Sequence, residues 1–193
     1  KFFNHMLFIL EITKGGKAIL KEWFRKICLF FFPIVVMPFL SLYYDFFDKG
    51  VLGIIFSCVN ESPWELMKPV FWACLFWWSL ELLWGVKKFK IYVKAKVISL
   101  FFLCFFCCVS NTILLYCTED FFWWLPTAFC VALSYIFYFI SNIAVKNIEK
   151  TRGFGICVVI LALMMGAVFC FSLYPPHNFL FVDKFFNTYG IVT

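Results

Sequence analysis

The feature that most constrains this chain is a series of five long apolar segments separated by short polar links. Each segment holds about 18 to 25 residues, enough for a helix to cross a hydrocarbon core about 30 Å thick. Hydrophobic residues make up 64% of the 193 residues and charged residues 15%, whereas soluble domains are about half apolar and a quarter charged. We therefore predict an all-α, polytopic membrane helix bundle. The segments cover residues 27–44, 64–86, 97–117, 121–145 and 154–174.

This composition excludes a soluble enzyme, a disordered chain and a free nucleic-acid-binding module. The net charge of +6 is explained instead by how the basic residues are distributed. Most Lys and Arg residues fall in residues 1–26, 87–96 and 146–152, while the links between them are mainly acidic. The positive-inside rule then predicts five transmembrane helices with the N-terminus inside and the C-terminus outside. We expect a multi-pass protein of the bacterial cytoplasmic membrane with no nucleic-acid partner.

The N-terminal segment, residues 1–26, has a different pattern from the rest. Lys14, Lys17 and Lys21 alternate with apolar residues such as Ile19 and Leu20. This is typical of an amphipathic helix that lies on an anionic membrane surface. The predicted division is an interfacial segment at 1–26 and one transmembrane domain at 27–193. Membrane lipid is the expected partner, together with other membrane subunits.

The first outer link contains the polar motif that looks most like a site. Residues 51–59 predict a short re-entrant or interfacial helix. Ser62 is then a good N-cap, Pro63 suits the first helical position, and Glu65 stands where a capping box needs it. In this interpretation the motif starts the second span, and glutamine would replace Glu65 almost without effect.

A second interpretation of the same motif is a ligand site. Two carboxylates, a carboxamide and an ammonium group converge where the chain enters the membrane, and ionisable groups at that depth are functional candidates. The alternative without a function is an ion cluster at the outer surface, solvated by water. Inside the second span, Glu81 either pairs with Lys87 or Lys88 near the inner surface or binds a ligand. The candidate ligand-binding residues are Asn60, Glu61, Glu65, Lys68 and Glu81.

Cysteine and histidine content gives little support to a metal or cofactor. Cys104, Cys107 and Cys108 are spaced like metal ligands, but apolar residues surround them and the chain has two histidines, so we predict no metal site. No nucleotide-binding loop or hydrolase motif is present, and no cofactor is predicted. Cys58 and Cys117 both fall on the predicted outer side, where a disulfide is permitted but not required.

The polar motif also carries a family resemblance. VNESPWELMK, with a late YPPHNFLFVDKFFNTYGI, resembles an uncharacterised bacterial family of small multi-span membrane proteins with the signature Asn-Glu-Ser-x-Trp-Glu-His-x-Lys. Leu66 stands where that signature has histidine, and Ser41 where the family has a second one. A metal or proton-transfer role of those histidines would therefore be lost here. The matching positions are Asn60, Glu61, Ser62, Trp64, Glu65 and Lys68.

Three classes of function fit these observations. The first is binding or transport of a small solute or ion through a polar site at the outer end of the second span, and it is the one we favour. The second is an intramembrane enzyme that acts on lipid, with Glu61 or Glu65 as its base, although scarce histidine weakens it. The third is a structural or assembly subunit without a ligand.

Overall fold

Six helices make up the described part of the chain. The computed structural model describes residues 2–46, 49–86, 88–117, 124–148, 151–185 and 187–189. Within those ranges the structure contains no β-strand, and one isolated bridge joins Val182 to Tyr189. The all-helical prediction is confirmed. The helices are α1 (Phe2–Phe46), α2 (Val51–Phe56), α3 (Pro63–Leu83), α4 (Phe89–Cys117), α5 (Trp124–Asn147) and α6 (Phe154–Leu173).

Five of the helical segments are long and apolar enough to cross a membrane. They are Lys26–Phe46 within α1 and the whole of α3, α4, α5 and α6. The number of spans therefore agrees with the prediction, while the side that each helix end faces stays a prediction. The chain divides into two compact units, residues 1–32 and 33–193. In the first unit, residues 2–32 are helical throughout.

In the second unit, α4 is the central helix and packs against α3, α5 and α6. The core of this unit contains large apolar side chains of α3 and α4 that solvent does not reach, among them Phe71, Trp77, Leu100 and Leu103. Helix α3 also packs against α5 and the short α2. Since α3 is the most buried of the five spans, polar groups along it need partners inside the protein.

The start of α4 differs from the prediction. The third span was expected to begin at residue 97, but α4 begins at Phe89. Lys94 and Lys96, assigned to a polar link, therefore lie on a helix, and Lys96 is 2% exposed. Their charge made them look like link residues, yet a lysine stem is a good helix former and its charge can be paired. At the end of α3, Gly85 has φ +90° and helps to end the helix before the predicted residue 86.

The short α2 and the segment after α6 both pack around the start of α3. Residues 51–56 form a helix, as the sequence predicted, and its depth in a bilayer stays a prediction. After α6, the chain turns back: the Trp64 amide donates to the Leu180 carbonyl at 3.1 Å, and the Trp64 ring packs against Phe181. Cys58 and Cys117 are both free thiols, so the disulfide is absent.

The orientation can be tested with two exposed lysines. We expect Lys49→Cys, in a cysteine-free background, to react with a membrane-impermeant maleimide in intact cells. Lys90→Cys should react only after the membrane is permeabilised, because the positive-inside rule places it inside. Both side chains are exposed, so burial cannot explain a difference. Labelling of Lys90→Cys in intact cells would reverse the predicted orientation.

Candidate functional site

A buried ion pair lies at the start of α3. The Lys68 Nζ and the Glu65 Oε2 are 2.6 Å apart, and the two side chains are 0% and 5% exposed. Lys68 also donates to the Ile54 carbonyl at 2.6 Å, and Glu65 accepts from the Val59 amide at 2.9 Å. The ion pair therefore connects α3 both to the end of α2 and to the loop that follows it.

The capping prediction is confirmed for Ser62 and wrong for the carboxylate of Glu65. The Ser62 Oγ accepts a hydrogen bond from the Glu65 amide at 3.3 Å, which is the expected N-cap bond. The other half of a capping box would join the Ser62 amide to the Glu65 carboxylate. Instead, the Ser62 amide donates to Asn60 Oδ1 at 3.0 Å. Glu65 binds Lys68 and Val59, so glutamine is not an equivalent replacement.

Beside this loop lies a cavity of about 850 Å³. Helices α1 and α5 contribute mostly apolar side chains to it, and the loop after α2 contributes the polar Asn60 and Glu61 beside Cys58 and Val59. The segment after α6 contributes Asp183. The lining residues are Ile34, Pro38, Ser41, Leu42, Asp45, Cys58, Val59, Asn60, Glu61, Leu66, Trp124, Thr127, Ala128, Val131 and Asp183.

Among the described residues, three carboxylates line the cavity: those of Asp45, Glu61 and Asp183. Asp183 is 1% exposed, and its carboxylate accepts from the Glu61 amide at 3.1 Å and the Phe185 amide at 2.8 Å. Burial raises the pKa of the half-buried Glu61, and the negative charges of Asp183 and Asp45 raise it further. Glu61 therefore takes up a proton at a higher pH than an exposed glutamate does.

Sequence reasoning missed Asp45 and Asp183 as lining residues. Asp45 lies at the end of α1, and Asp183 is separated from Glu61 by more than a hundred residues, so no local spacing relates them. The only available signal was that all three acids fall on the same predicted side of the membrane. Ser41 and Leu66, the positions at which the resembling family carries histidine, also line this cavity.

The loop that carries Glu61 is tied to α1 as well as to α3. The fully buried Ser57 accepts from the Tyr44 amide at 2.9 Å and donates to the Ser41 carbonyl at 3.3 Å. The Cys58 thiol donates to the Glu65 carbonyl at 3.1 Å. Burial, together with the Glu65 carboxylate, raises the pKa of Cys58, which disfavours a reactive thiolate.

Glu81 belongs to a separate cluster at the opposite end of α3. Its carboxylate accepts from the Tyr92 hydroxyl at 2.8 Å and the Tyr138 hydroxyl at 3.1 Å. The Lys96 ammonium lies 3.4 Å away and donates to Asn142 Oδ1 at 3.0 Å. This corrects the expected pairing of Glu81 with Lys87 or Lys88; Lys87 itself lies outside the described residues.

Four of the five predicted ligand residues therefore lie together, and the fifth does not. Glu81 follows Glu65 by four and a half turns of α3, which is about 24 Å along the helix axis. Of the four, Asn60 and Glu61 line the cavity, whereas Glu65 and Lys68 hold the loop behind it. Within the described ranges, no three His, Cys, Asp or Glu side chains form a group that could hold a metal ion.

Comparison with known proteins gives a family but no activity. A model described as a family of unknown function, DUF6512, matches residues 14–191. The chain belongs to this family. The resemblance to an uncharacterised family is thereby confirmed. No curated protein and no solved structure matches the chain.

Removing one partner of the buried ion pair should destabilise the DUF6512 protein strongly. Lys68→Met leaves the Glu65 carboxylate without its cation in a site that water does not reach. Breaking a buried pair in this way costs about 3 to 5 kcal/mol. We expect a loss of that order in the free energy of unfolding, measured by denaturant titration in detergent micelles.

The matched control for that variant is Lys90→Met, which removes an exposed lysine from α4. Its effect should stay within about 0.5 kcal/mol. The double variant Glu65→Met, Lys68→Met should lose less than Lys68→Met alone, because no charge is left unpaired. If Lys68→Met unfolds at the same denaturant concentration as Lys90→Met, the ion pair does not hold the loop.

Glu61→Gln should change how stability depends on pH. A carboxylate whose pKa is raised in the folded state opposes folding when it is ionised, and this cost is absent below the pKa of an unfolded glutamate. Glu61→Gln should therefore unfold at a higher temperature than the parent at pH 7. The difference should shrink as the pH falls through the raised pKa of Glu61. Half-exposure of the side chain keeps the effect small.

Thermal unfolding at pH 7.5 and pH 4.5 measures this difference, with Thr127→Val as an uncharged control from the same cavity. The control should shift the unfolding temperature equally at both values. If Glu61→Gln shifts the unfolding temperature equally at pH 7.5 and pH 4.5, the surroundings of Glu61 do not oppose the charge of its carboxylate.

Proposed function

We propose that this DUF6512 protein binds a small organic solute in the cavity between α1, α5 and the loop after α2, in a bacterial cytoplasmic membrane. The observation that carries the proposal is the cavity itself. Its volume of about 850 Å³ falls within the range of small-molecule sites. Such sites combine apolar walls with a few placed polar groups, and here those groups include Asn60 and Glu61.

The residues of the motif then divide into two roles. Asn60 and Glu61 lie at the cavity surface and would contact the solute. Glu65 and Lys68 are positioning residues, because their ion pair fixes the loop that carries Asn60 and Glu61. Ser62 starts α3 and is not itself a lining residue of the cavity. Glu81 is not part of this site.

Binding has more support than an open pore. Between the cavity and the Glu81 cluster, α3 and α4 pack through side chains that are almost fully buried, including Phe71, Trp77 and Leu103. A solute could pass between α3 and α4 only if these helices rearranged. We therefore propose a site that is closed on the side of α3 and α4, with transport as a rearrangement of the same bundle.

The enzymatic alternative loses one of its two proposed bases. Glu65 accepts hydrogen bonds from Lys68 and Val59 and does not line the cavity. A general base must come within hydrogen-bond reach of the proton that it removes. Glu61 alone remains at the cavity surface, and no described histidine lies there.

Blocking the cavity should remove a bound small molecule. Ala128 lies on α5 at the cavity wall, and Ala128→Phe adds a ring to that space. We expect native mass spectrometry of the parent protein, released from nanodiscs made directly from the producing membrane, to show a bound mass below about 1 kDa. Ala128→Phe should lack that mass.

The control is Ala132→Phe, one turn further along α5, exposed and absent from the cavity lining. It should keep the bound mass, because position 132 does not line the cavity. Annular lipid and detergent affect both variants equally, so they cannot explain a difference between the two. The proposal fails if the parent carries no such mass, or if Ala128→Phe and Ala132→Phe carry it to the same extent.

A further inference from the structure

The cavity changes in character from its rim to its inner end. At the rim, Ile34, Leu42 and Trp124 are 40%, 38% and 52% exposed. At the inner end, Asn60 and Asp183 are 8% and 1% exposed. Apolar side chains exposed on a membrane-spanning helix face acyl chains, not water. The rim is thus suited to an alkyl chain, and the inner end to a polar group.

The polar part of the lining also has one sign of charge. It includes the exposed Asp45, the half-buried Glu61 and the buried Asp183, and none of the described lining residues is Lys, Arg or His. The nearest described ammonium group on α3, that of Lys68, is held in its ion pair with Glu65. Like-charged carboxylates in a poorly solvated space repel one another, and a cation between them removes that repulsion.

We propose that the solute is a cationic amphiphile, a proposal that rests on the proposed binding function. Its ammonium head lies between the carboxylates of Asp45 and Glu61, with Asp183 behind them. Its alkyl chain lies along the apolar wall formed by α1 and α5. Asp183 contributes charge, but its oxygens are held by the Glu61 and Phe185 amides, so Asp45 and Glu61 are the groups that select the head.

An amphiphile suits this cavity better than an inorganic cation. A hard divalent ion takes six or more oxygen ligands in a compact shell, at metal–oxygen distances of roughly 2.0 to 2.6 Å. Here the lining also includes Pro38, Leu42 and Val131, which offer no ligand oxygens from their side chains. An alkylammonium ion needs few directed ligands, and its chain gains from contact with the same apolar walls.

The experiment compares three probes that share one alkyl chain: decyltrimethylammonium, decyl sulfate and decyl maltoside. Each tritiated probe is titrated onto the full chain in phosphatidylcholine nanodiscs, and binding to empty nanodiscs is subtracted. We expect saturable binding of decyltrimethylammonium alone. Asp45→Asn and Glu61→Gln should each weaken it about fivefold, since a partly exposed charge pair contributes up to about 1 kcal/mol. Asp45→Glu, which keeps the charge, should bind like the parent.

The outcomes separate this inference from the proposed function. If the sulfate or maltoside probe binds as tightly as the ammonium probe, and Ala128→Phe abolishes that binding, the cavity binds solutes but does not select cations. If Asp45→Asn and Glu61→Gln bind the ammonium probe as tightly as the parent, the carboxylates do not select its head. If no probe binds saturably, or Ala128→Phe leaves binding unchanged, the cationic-amphiphile inference is wrong, and the bound mass in native mass spectrometry still decides the proposed function separately.

Discussion

The ion pair between Glu65 and Lys68 is the interaction on which the cavity end of the bundle depends. Removing two charges from water costs several kcal/mol for each ion, and their attraction offsets this only when further hydrogen bonds complete the geometry. Here those bonds come from the Ile54 carbonyl and the Val59 amide. The same partners that make the pair tolerable fix the end of α2 and the loop after it. The position of the polar lining residues on this loop therefore depends on the ion pair.

Helix α3 carries a second ion pair near its other end, between the partly exposed Glu81 and the buried Lys96, and the two pairs hold different elements. Glu81 and Lys96 connect α3 to α4, and the Tyr138 hydroxyl and Asn142 add α5 to the same network. The Lys96 ammonium also lies 3.9 Å from the centre of the Tyr138 ring, a favourable cation–π distance. One pair positions a loop, and the other joins three helices, so α3 is the element that both ends of the bundle share.

The helices themselves could be predicted because bilayer thickness and backbone hydrogen bonding leave few alternatives for long apolar runs. The cap at Ser62 could be predicted because capping is local. The role of Glu65 could not, since Asn60 bonds to the Ser62 amide and frees the carboxylate for Lys68 and Val59. Lys96 was misplaced for a similar reason: its buried charge is paired with Glu81, which is close in space but not in a recognisable sequence spacing. Both errors are tertiary pairings that override a local pattern.

The cavity lining runs from Ile34 on α1 to Asp183 beyond α6, and this has a consequence for biosynthesis. Domains fold from the N-terminus onward while the ribosome adds residues, and here Asp183 is added after α1 to α6 have been made. The ion pair of α3 can form early, because its partners lie within fifteen residues along the chain. The cavity cannot, and until its last wall arrives Glu61 lacks the aspartate that binds its amide. Membrane insertion of the helices and maturation of the cavity are therefore separate events in time.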